Sequence, residues 1–466
     1  MLKLYNTLTK KIEELKLIKD KEVGLYTCGP TVYNFAHIGN LRTYIFEDLL
    51  KRVLEYNGLK VNHAMNITDV GHLVGDGDEG EDKLEVGAKR EGKNPLDIAK
   101  FYAEKFLSDL RDLNIELPDP KMILPATQAI PEQIEIIKQL EAKGFAYKGE
   151  AAIYFNTSKL PDYGKLSGQK LSEKKSGARD EVVQDPDKKT PADFALWFFL
   201  KGKYENHILH WPSPWGEGFP GWHIECSAIS RKLLGQPFDI HTGGVDHIGT
   251  HHTNEIAQSE AAFGVPLANV WMHGEFLLVN EGRMGKSEGN FITLDTLKKE
   301  KFLPIDYRYM CLQAHYRSQL NFTWQSLGSA HTALNRLFDF FDFVSDVVPG
   351  QIDKNFEKDF IAAIEDDLNV PKALAIAHQL LNENIIPLEV KKASLIQFDK
   401  IFGLNLTQRT IASIPPEVDK LAIERKTAKD QKDFAKSDEL RKQIEALGYE
   451  VMDTPEGQKV KKKIGI

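Results

Sequence analysis

Three stretches of this chain carry residue types whose spacing could do chemistry. Residues 30–40 close on His37-Ile38-Gly39-Asn40, where a strand pattern passes into a helix pattern. A helix start offers unpaired N–H groups and a positive dipole end, which together make a seat for phosphates. The His37 imidazole can donate to a phosphate oxygen as charge builds in a transition state, and Gly39 lets the backbone approach a flat base closely. A simple helix-capping turn fits the same four residues. The second stretch is Arg283-Met284-Gly285-Lys286-Ser287, followed by Glu288-Gly289-Asn290. A basic loop there can close over a triphosphate, with Lys286 stabilising the leaving pyrophosphate. A surface turn is the bland alternative.

The third is a set of metal donors. Cys226 ends Gly221-Trp222-His223-Ile224-Glu225-Cys226, and His251-His252-Thr253-Asn254-Glu255 follows. His251 and Glu255 are four apart, so on a helix they share a face and can converge on one ion. With Cys28 they would complete two thiolates, an imidazole and a carboxylate, a tetrahedral set that suits zinc. No Cys-x-x-Cys pair supports it, and on spacing alone two buried structural cysteines beside a helix-surface His/Glu pair are the simpler reading. Cys311, in the apolar run Tyr309-Met310-Cys311-Leu312, matches no ligand motif and is expected to be a packing residue.

These stretches need elements to hold them. Residues 23–28 read as a short buried strand and residues 41–56 as a helix, from the spacing of Leu41, Ile45, Leu49, Leu50, Val53 and Leu54. Asn57-Gly58 stops that helix, and residues 60–67 read as the next strand. This β–loop–helix–β unit predicts a doubly wound, Rossmann-like α/β parallel sheet, with Cys28 and Thr68 at the carboxyl ends of strands, where ligands bind. Residues 71–93 read as a long acidic, glycine-rich loop and residues 95–113 as an amphipathic helix. The expected organisation is a first catalytic half over 1–117, an insertion over 118–220, and a second catalytic half over 221–280. A closing-loop and stem-contact region (281–325), a helical bundle (326–413) and an all-α C-terminal region (414–466) follow. In the last of these, residues 420–447 read as one charged helix.

Length and charge set outer bounds. A chain of 466 residues predicts two to four domains. The first twenty residues resemble neither a secretory signal nor a membrane span, so a cytoplasmic protein without a membrane partner is expected. Three cysteines, widely spaced, argue against a disulfide framework. The net charge is −8, yet residues 420–466 hold 12 Lys/Arg against 9 Asp/Glu, a balance of +3 on an otherwise acidic body. A basic tail that touches a phosphate backbone fits this, as does a solvated helix with a frayed end.

The two short motifs resemble the HIGH and KMSKS signatures of class I aminoacyl-tRNA synthetases. The chain is similar to cysteinyl-tRNA synthetases over nearly its whole length. Further stretches carry that resemblance: Leu4-Tyr5-Asn6-Thr7-Leu8-Thr9, Tyr26-Thr27-Cys28-Gly29-Pro30-Thr31-Val32-Tyr33, Asn66-Ile67-Thr68-Asp69, Asp193-Phe194-Ala195-Leu196-Trp197 and Asp366-Asp367-Leu368-Asn369. The resemblance implies one zinc per chain on Cys28, Cys226, His251 and Glu255, joined by the substrate thiolate. It implies ATP, with Mg²⁺, at His37, Gly39, Asn40, Arg283, Lys286 and Ser287, with His37, Asn40 and Lys286 catalytic. It implies a cysteine pocket at Gly29, Thr68 and Trp222; His223, His241 and His252 form its inner wall or serve as core histidines. L-cysteine, ATP and tRNA(Cys) are the implied partners, and a monomer is expected. A cysteine ligase acting on an amino sugar and a catalytically silent tRNA-binding paralogue are the alternatives. The chain departs from the pattern at Arg283 (Lys), Gly285 (Ser), Asn40 (the second His of HIGH) and Phe219 (a basic residue). The last has no account in the sequence.

Overall fold

Side-chain alternation along two neighbouring strands divides the core. The computed structural model describes residues 1–73, 78, 80–168, 187–283, 291–408, 415–454 and 457–462. Strands β1 (Glu22–Thr27), β2 (Lys60–Ile67), β3 (Ile123–Pro125), β4 (Phe238–Gly244) and β5 (Ala268–Gly274) form one parallel sheet, ordered β5-β4-β1-β2-β3. Val23, Leu25, Met65 and Ile67 share a cluster with Leu41, Ile45 and Leu49 of helix α1 (Ile38–Tyr56). Tyr26 and Ala64, one position out of step, join Cys226 and Ile229 of α2 (Trp222–Leu234) and Ile256 of α3 (His251–Phe263). Because successive strand side chains point to opposite faces, helices cover both faces of the sheet. Strand order reverses between β1 and β4, and the carboxyl ends of those two strands open a crevice there. β4 is buried along its whole length although it carries His241 and Thr242, so its interior polar groups must find partners.

Several elements differ from expectation. β3 pairs with β2, so the central sheet runs past residue 118 and the insertion opens only after Pro125. Three residues including a proline are too few to show a period. The insertion folds as a four-stranded antiparallel sheet: Ala146–Lys148, Ala152–Phe155, Phe194–Phe199 and Gly218–Pro220. Phe219 ends there fully buried, stacked on His207 at 3.8 Å and on Phe198 at 5.0 Å. A basic side chain in that place would bury a charge among aromatic rings. Residues 71–93 are not all loop. Asp82 caps a nine-residue helix, Lys83–Glu91, by accepting from the Leu84 N–H, and Gly92 at φ +64° ends it.

Helices Trp324–Phe343, Lys354–Ile364, Val370–Asn382 and Leu388–Phe402 form the bundle, with Leu334, Leu337, Phe338 and Phe341 buried as their spacing requires. Asp366-Asp367-Leu368-Asn369 turns between two of them. Asp367 accepts from the backbone N–H of Tyr5 at 2.8 Å, from Tyr316 Oη at 2.7 Å and from Arg317 Nε at 2.7 Å. One carboxylate thereby fastens the N-terminal strand to the bundle. Residues 420–447 are not one helix. Lys432 takes φ +62° and Asp433 caps a new start, giving Pro416–Asp430 and Phe434–Ala446. A hairpin, Tyr449–Thr454 with Gly457–Lys462, follows on a small core of Val418, Ala422, Ile444, Tyr449 and Val451. Lys459, Lys461 and Lys462 therefore stand in a paired strand, not in a loose tail. Among the described residues no helix is long and apolar enough to cross a membrane.

Candidate active site

The crevice at the β1/β4 reversal widens into a cavity of about 300 Å³. Its walls include Cys28 and Gly29 after β1, Thr68 after β2, Gly243 and Gly244 of β4, and Trp222, Cys226 and His251 from the first turns of α2 and α3. His37 and Asn40, at the start of α1, border the same space. Cys28, Thr68 and His251 meet here because each follows a strand of the parallel sheet, and parallel strands end on one side of it; Trp222 and Cys226 come from the helix after Gly218–Pro220, an antiparallel strand of the insertion sheet.

One donor atom from each of Cys28, Cys226, His251 and Glu255 lies within 4.8 Å of the other three, and all four residues are buried. Cys28 Sγ and Cys226 Sγ are 3.9 Å apart. Two thiolates on a tetrahedral zinc with bonds of about 2.3 Å would stand roughly 3.8 Å apart, so the pair fits the ion without rearrangement. His251 Nε2 and Glu255 Oε1 are 3.0 Å apart, on the shared helix face that their spacing requires. The electrostatics match a cation site. Burial would raise the Cys226 thiol, but the hydrogen bond with Cys28 and the charge of His251 bring it down to about 6. Burial pushes Cys28 well up, so the thiol pair favours one thiolate. Burial would raise Glu255 too, yet His241 and His251 hold it down at about 2.

Histidines stand behind these donors. His241 Nε2 meets Glu255 Oε2 at 3.0 Å, and His252 Nε2 meets Cys28 Sγ at 3.2 Å. His252 Nδ1 continues to His273 Nε2 at 2.8 Å, and His273 Nδ1 to Thr7 Oγ1 at 2.8 Å. His223 pairs with His251 through their Nδ1 atoms at 3.1 Å. A second donor set, Cys28, His241, His252 and Glu255, is as tightly gathered as the first.

His37 does cap α1: its Nδ1 accepts from the Asn40 N–H at 3.1 Å, and Asn40 Oδ1 accepts from the His37 N–H at 3.3 Å. That cap leaves Nε2 as a donor, because a neutral ring accepting at Nδ1 carries its proton there. Burial holds the imidazole down near 4, so it is neutral at pH 7. A Cβ on Gly39 would press on the His37 ring at 3.0 Å. At Gly29 the constraint is absolute, since a Cβ would lie 1.6 Å from the Asn66 carbonyl oxygen. Thr68 Oγ1 donates to Glu225 Oε2 at 2.9 Å and accepts from Asn66 Nδ2 at 3.0 Å. Trp222 stacks on His251 at 4.2 Å. Arg283 closes the short strand Gly282–Arg283, paired with Leu277–Val279, while Lys286 and Ser287 lie outside the described residues.

Sequence reasoning missed His72. It stacks on Trp222 at 3.9 Å, meets Thr31 Oγ1 at 2.5 Å and Lys83 Nζ at 2.6 Å, and lines the cavity. It sits in the tract read as loop, where nothing in the spacing marks it. Glu47 of α1 was also missed. Its Oε1 accepts from Thr242 Oγ1 at 2.8 Å, and burial pushes its carboxyl up to about 8 from an ordinary 4.5. The native chain therefore holds a proton that the unfolded chain releases. Stability from this group is complete below the unfolded value and is lost as pH rises towards the folded one. Glu47→Gln is expected to flatten the fall in melting temperature between about pH 6 and pH 8. A variant that keeps the wild-type slope over that range would contradict this.

The order of strands, the HIGH-like turn at a helix start and the ligand crevice define a class I aminoacyl-tRNA synthetase fold. The family described as tRNA synthetases class I (C) catalytic domain matches residues 14–332. Cysteine–tRNA ligase 1 of Burkholderia lata is 47% identical over 462 residues, covering 98% of this chain and 96% of its own. Cysteine–tRNA ligase of Treponema denticola is 42% identical over 496 residues, covering 99% and 100%. The chain belongs to the cysteinyl-tRNA synthetase family. Solved structures extend the likeness of fold alone. Methionyl-tRNA synthetase of Mycobacterium tuberculosis, bound by methionyl-adenylate, superposes with TM-score 0.54 at 13% identity over 89% of this chain and 96% of that one. LeuRS of Agrobacterium radiobacter K84, in a ternary complex, gives 0.59 at 11% identity over 84% of each.

Proposed function

We propose that this chain is a cysteine–tRNA ligase that activates L-cysteine with ATP and Mg²⁺ and transfers it to the 3′ end of tRNA(Cys). The observation that carries this is the thiolate-rich donor set, Cys28, Cys226, His251 and Glu255, gathered within 4.8 Å on the cavity that His37 borders. Zinc held there would accept a substrate thiolate and take a serine hydroxyl poorly, which supplies discrimination that packing alone cannot. Gly29 leaves room at the cavity wall, and Trp222 and Thr68 close its sides. His37, neutral and with Nε2 as donor, faces charge that builds on phosphate oxygens. Lys286 would supply the positive charge needed where pyrophosphate leaves, and Arg283 and Ser287 of the same motif would also contact ATP. The substrate carboxylate attacks the α-phosphorus and expels pyrophosphate; the ribose hydroxyl then attacks the adenylate carbonyl, the mixed-anhydride bond breaks, AMP leaves, and the hydroxyl proton passes to the departing phosphate or to water. Positioning and charge stabilisation carry both steps, and no protein base is needed in the first.

The paired helices and hairpin after residue 415, with their basic balance, would read the tRNA away from the reaction, and a cytoplasmic monomer completes the proposal. An amino-sugar ligase gains no support, because the tRNA ligases above cover the helical regions as well; the presence of His37, Lys286 and all four metal donors speaks against a silent paralogue. ATP–pyrophosphate exchange tests the reading. Cysteine is expected to drive exchange with about one zinc per chain, and serine to drive it at least about a hundredfold less at equal concentration. Equal exchange with serine, or full activity in protein without zinc, would overturn it.

A further inference from the structure

Two aromatic rings stand exposed at the cavity mouth. Phe35, which lines the cavity, is 38% exposed, and Phe101, on the helix Pro95–Asp112, is 37% exposed. The rings meet edge to face at 6.3 Å, and Tyr102 supports both at 5.1 Å. Cations gather at the same place. Lys93 Nζ lies 5.3 Å and Lys105 Nζ 6.0 Å from the centre of the Phe101 ring. Arg90 bonds to the Tyr33 carbonyl and to Tyr102 Oη, each at 3.2 Å. Glu91 pairs with Arg90 at 2.9 Å and Lys93 at 3.4 Å, and accepts from Tyr102 Oη at 2.5 Å. Lys105 brings its charge from the next turn of the helix beyond Phe101.

Two adjoining exposed rings offer an apolar face on which a flat base can stack, and lysines beside such rings match the phosphates of a flexible strand. A folded protein partner would need a wider apolar face than these two rings present. A single strand needs only a stacking surface and flanking charge. The shelf also runs into the cavity that holds Cys28, Cys226 and His251, so a strand lying on it arrives at the reacting centre end first. We infer that Phe35 and Phe101, with Lys93 and Lys105, dock the single-stranded 3′ end of the tRNA substrate, a base stacking on Phe101 and adjoining phosphates meeting the lysines. This rests on the function proposed above.

The test uses the full zinc-bound chain. Phe101→Ala is expected to raise KM for tRNA about tenfold, equivalent to about 1.4 kcal/mol, while KM for ATP and for cysteine in pyrophosphate exchange moves less than about twofold. Phe101→Trp, which keeps a stacking face, is expected to restore the tRNA value. Lys105→Gln should lessen the salt dependence of tRNA KM by roughly 0.7 in the log–log slope, the value for one phosphate of a single strand. An RNA hairpin that keeps only the acceptor helix and its 3′ end should suffer the same loss with Phe101→Ala as the whole tRNA. An unchanged tRNA KM overturns the inference. So does an equal rise in KM for ATP, which would mean that the shelf takes the adenine, or a tryptophan variant as poor as the alanine one. Failure of the wild-type chain to exchange pyrophosphate with cysteine would instead remove the functional reading itself.

Discussion

Cys226→Ser is expected to lose bound zinc and cysteine activation together. The serine hydroxyl ionises far less readily than the thiol, which here already lies near 6, and it is a poor ligand for zinc. The substitution also removes the partner 3.9 Å from Cys28 and the negative charge that His251 balances. Loss of an outer partner at a metal site costs about 10- to 100-fold, so loss of a direct ligand should lower cysteine-dependent exchange by at least about a hundredfold. Cys311→Ser provides the control. Cys311 is buried among the apolar residues beneath α1, and the same change of sulfur to oxygen there should leave one zinc per chain in place. Elemental analysis and pyrophosphate exchange on both variants decide the matter. A Cys226→Ser protein that keeps stoichiometric zinc would sink the ligand assignment.

The parts of this site that local spacing could reveal were those on one element. His251 and Glu255 share a face because they are four apart on α3, and the β1–α1–β2 unit announced the parallel sheet through its apolar periods. That Cys28 and Cys226 would meet across 198 positions follows only from Cys28 lying at the end of β1, beside the reversal of strand order, and α2 packing over that end. No period encodes it; the resemblance to a family supplied it. His72 was illegible for a different reason. Its stacking on Trp222 joins residues far apart in sequence, and its neighbour Gly71 donates its N–H to Asp82 at 2.8 Å, neither of which any local spacing marks. The strand Phe194–Phe199 was hidden because all six residues are buried, so it lacks the alternation that marks a half-exposed strand. The helix break at Lys432 carries neither glycine nor proline, and only the capping carboxylate of Asp433 marks it. Phe219 shows the converse: a departure from a family pattern that packing explains at once and sequence does not.

Arg308→Met is expected to be the most destabilising single change away from the cavity. Arg308 is fully buried and binds Asp48 of α1 at 2.6 Å, the Phe402 carbonyl at 2.6 Å and the Leu113 carbonyl at 3.1 Å. Arg52 binds the same carboxylate at 2.8 Å and reaches the Lys400 and Asn114 carbonyls. One charged node thus joins α1, the loop before the insertion and the last helix of the bundle. Burial lowers the Arg308 guanidinium somewhat, but it stays protonated, so the carboxylate decides the pH response. Burial would raise Asp48; Arg308 and Arg52 outweigh it and hold the carboxyl below its ordinary value. Stability from Asp48 is therefore present above the unfolded value and lost as pH falls through the folded one. Methionine fills the space but leaves Asp48 with one guanidinium and two carbonyls without donors. Removing one partner of a buried pair costs about 3–5 kcal/mol, or roughly 3–6 °C in melting temperature for a cooperative unit of about 400 residues. The acid transition should move to higher pH, because the remaining guanidinium holds the carboxyl down less. Because Tyr307, the neighbour of Arg308, donates to the Ile38 carbonyl at the start of α1 at 2.7 Å, the loosened node should also lower pyrophosphate exchange before the chain unfolds. Calorimetry across the acid range gives the answer: a melting temperature within about 2 °C of wild type would mean that the node holds nothing together.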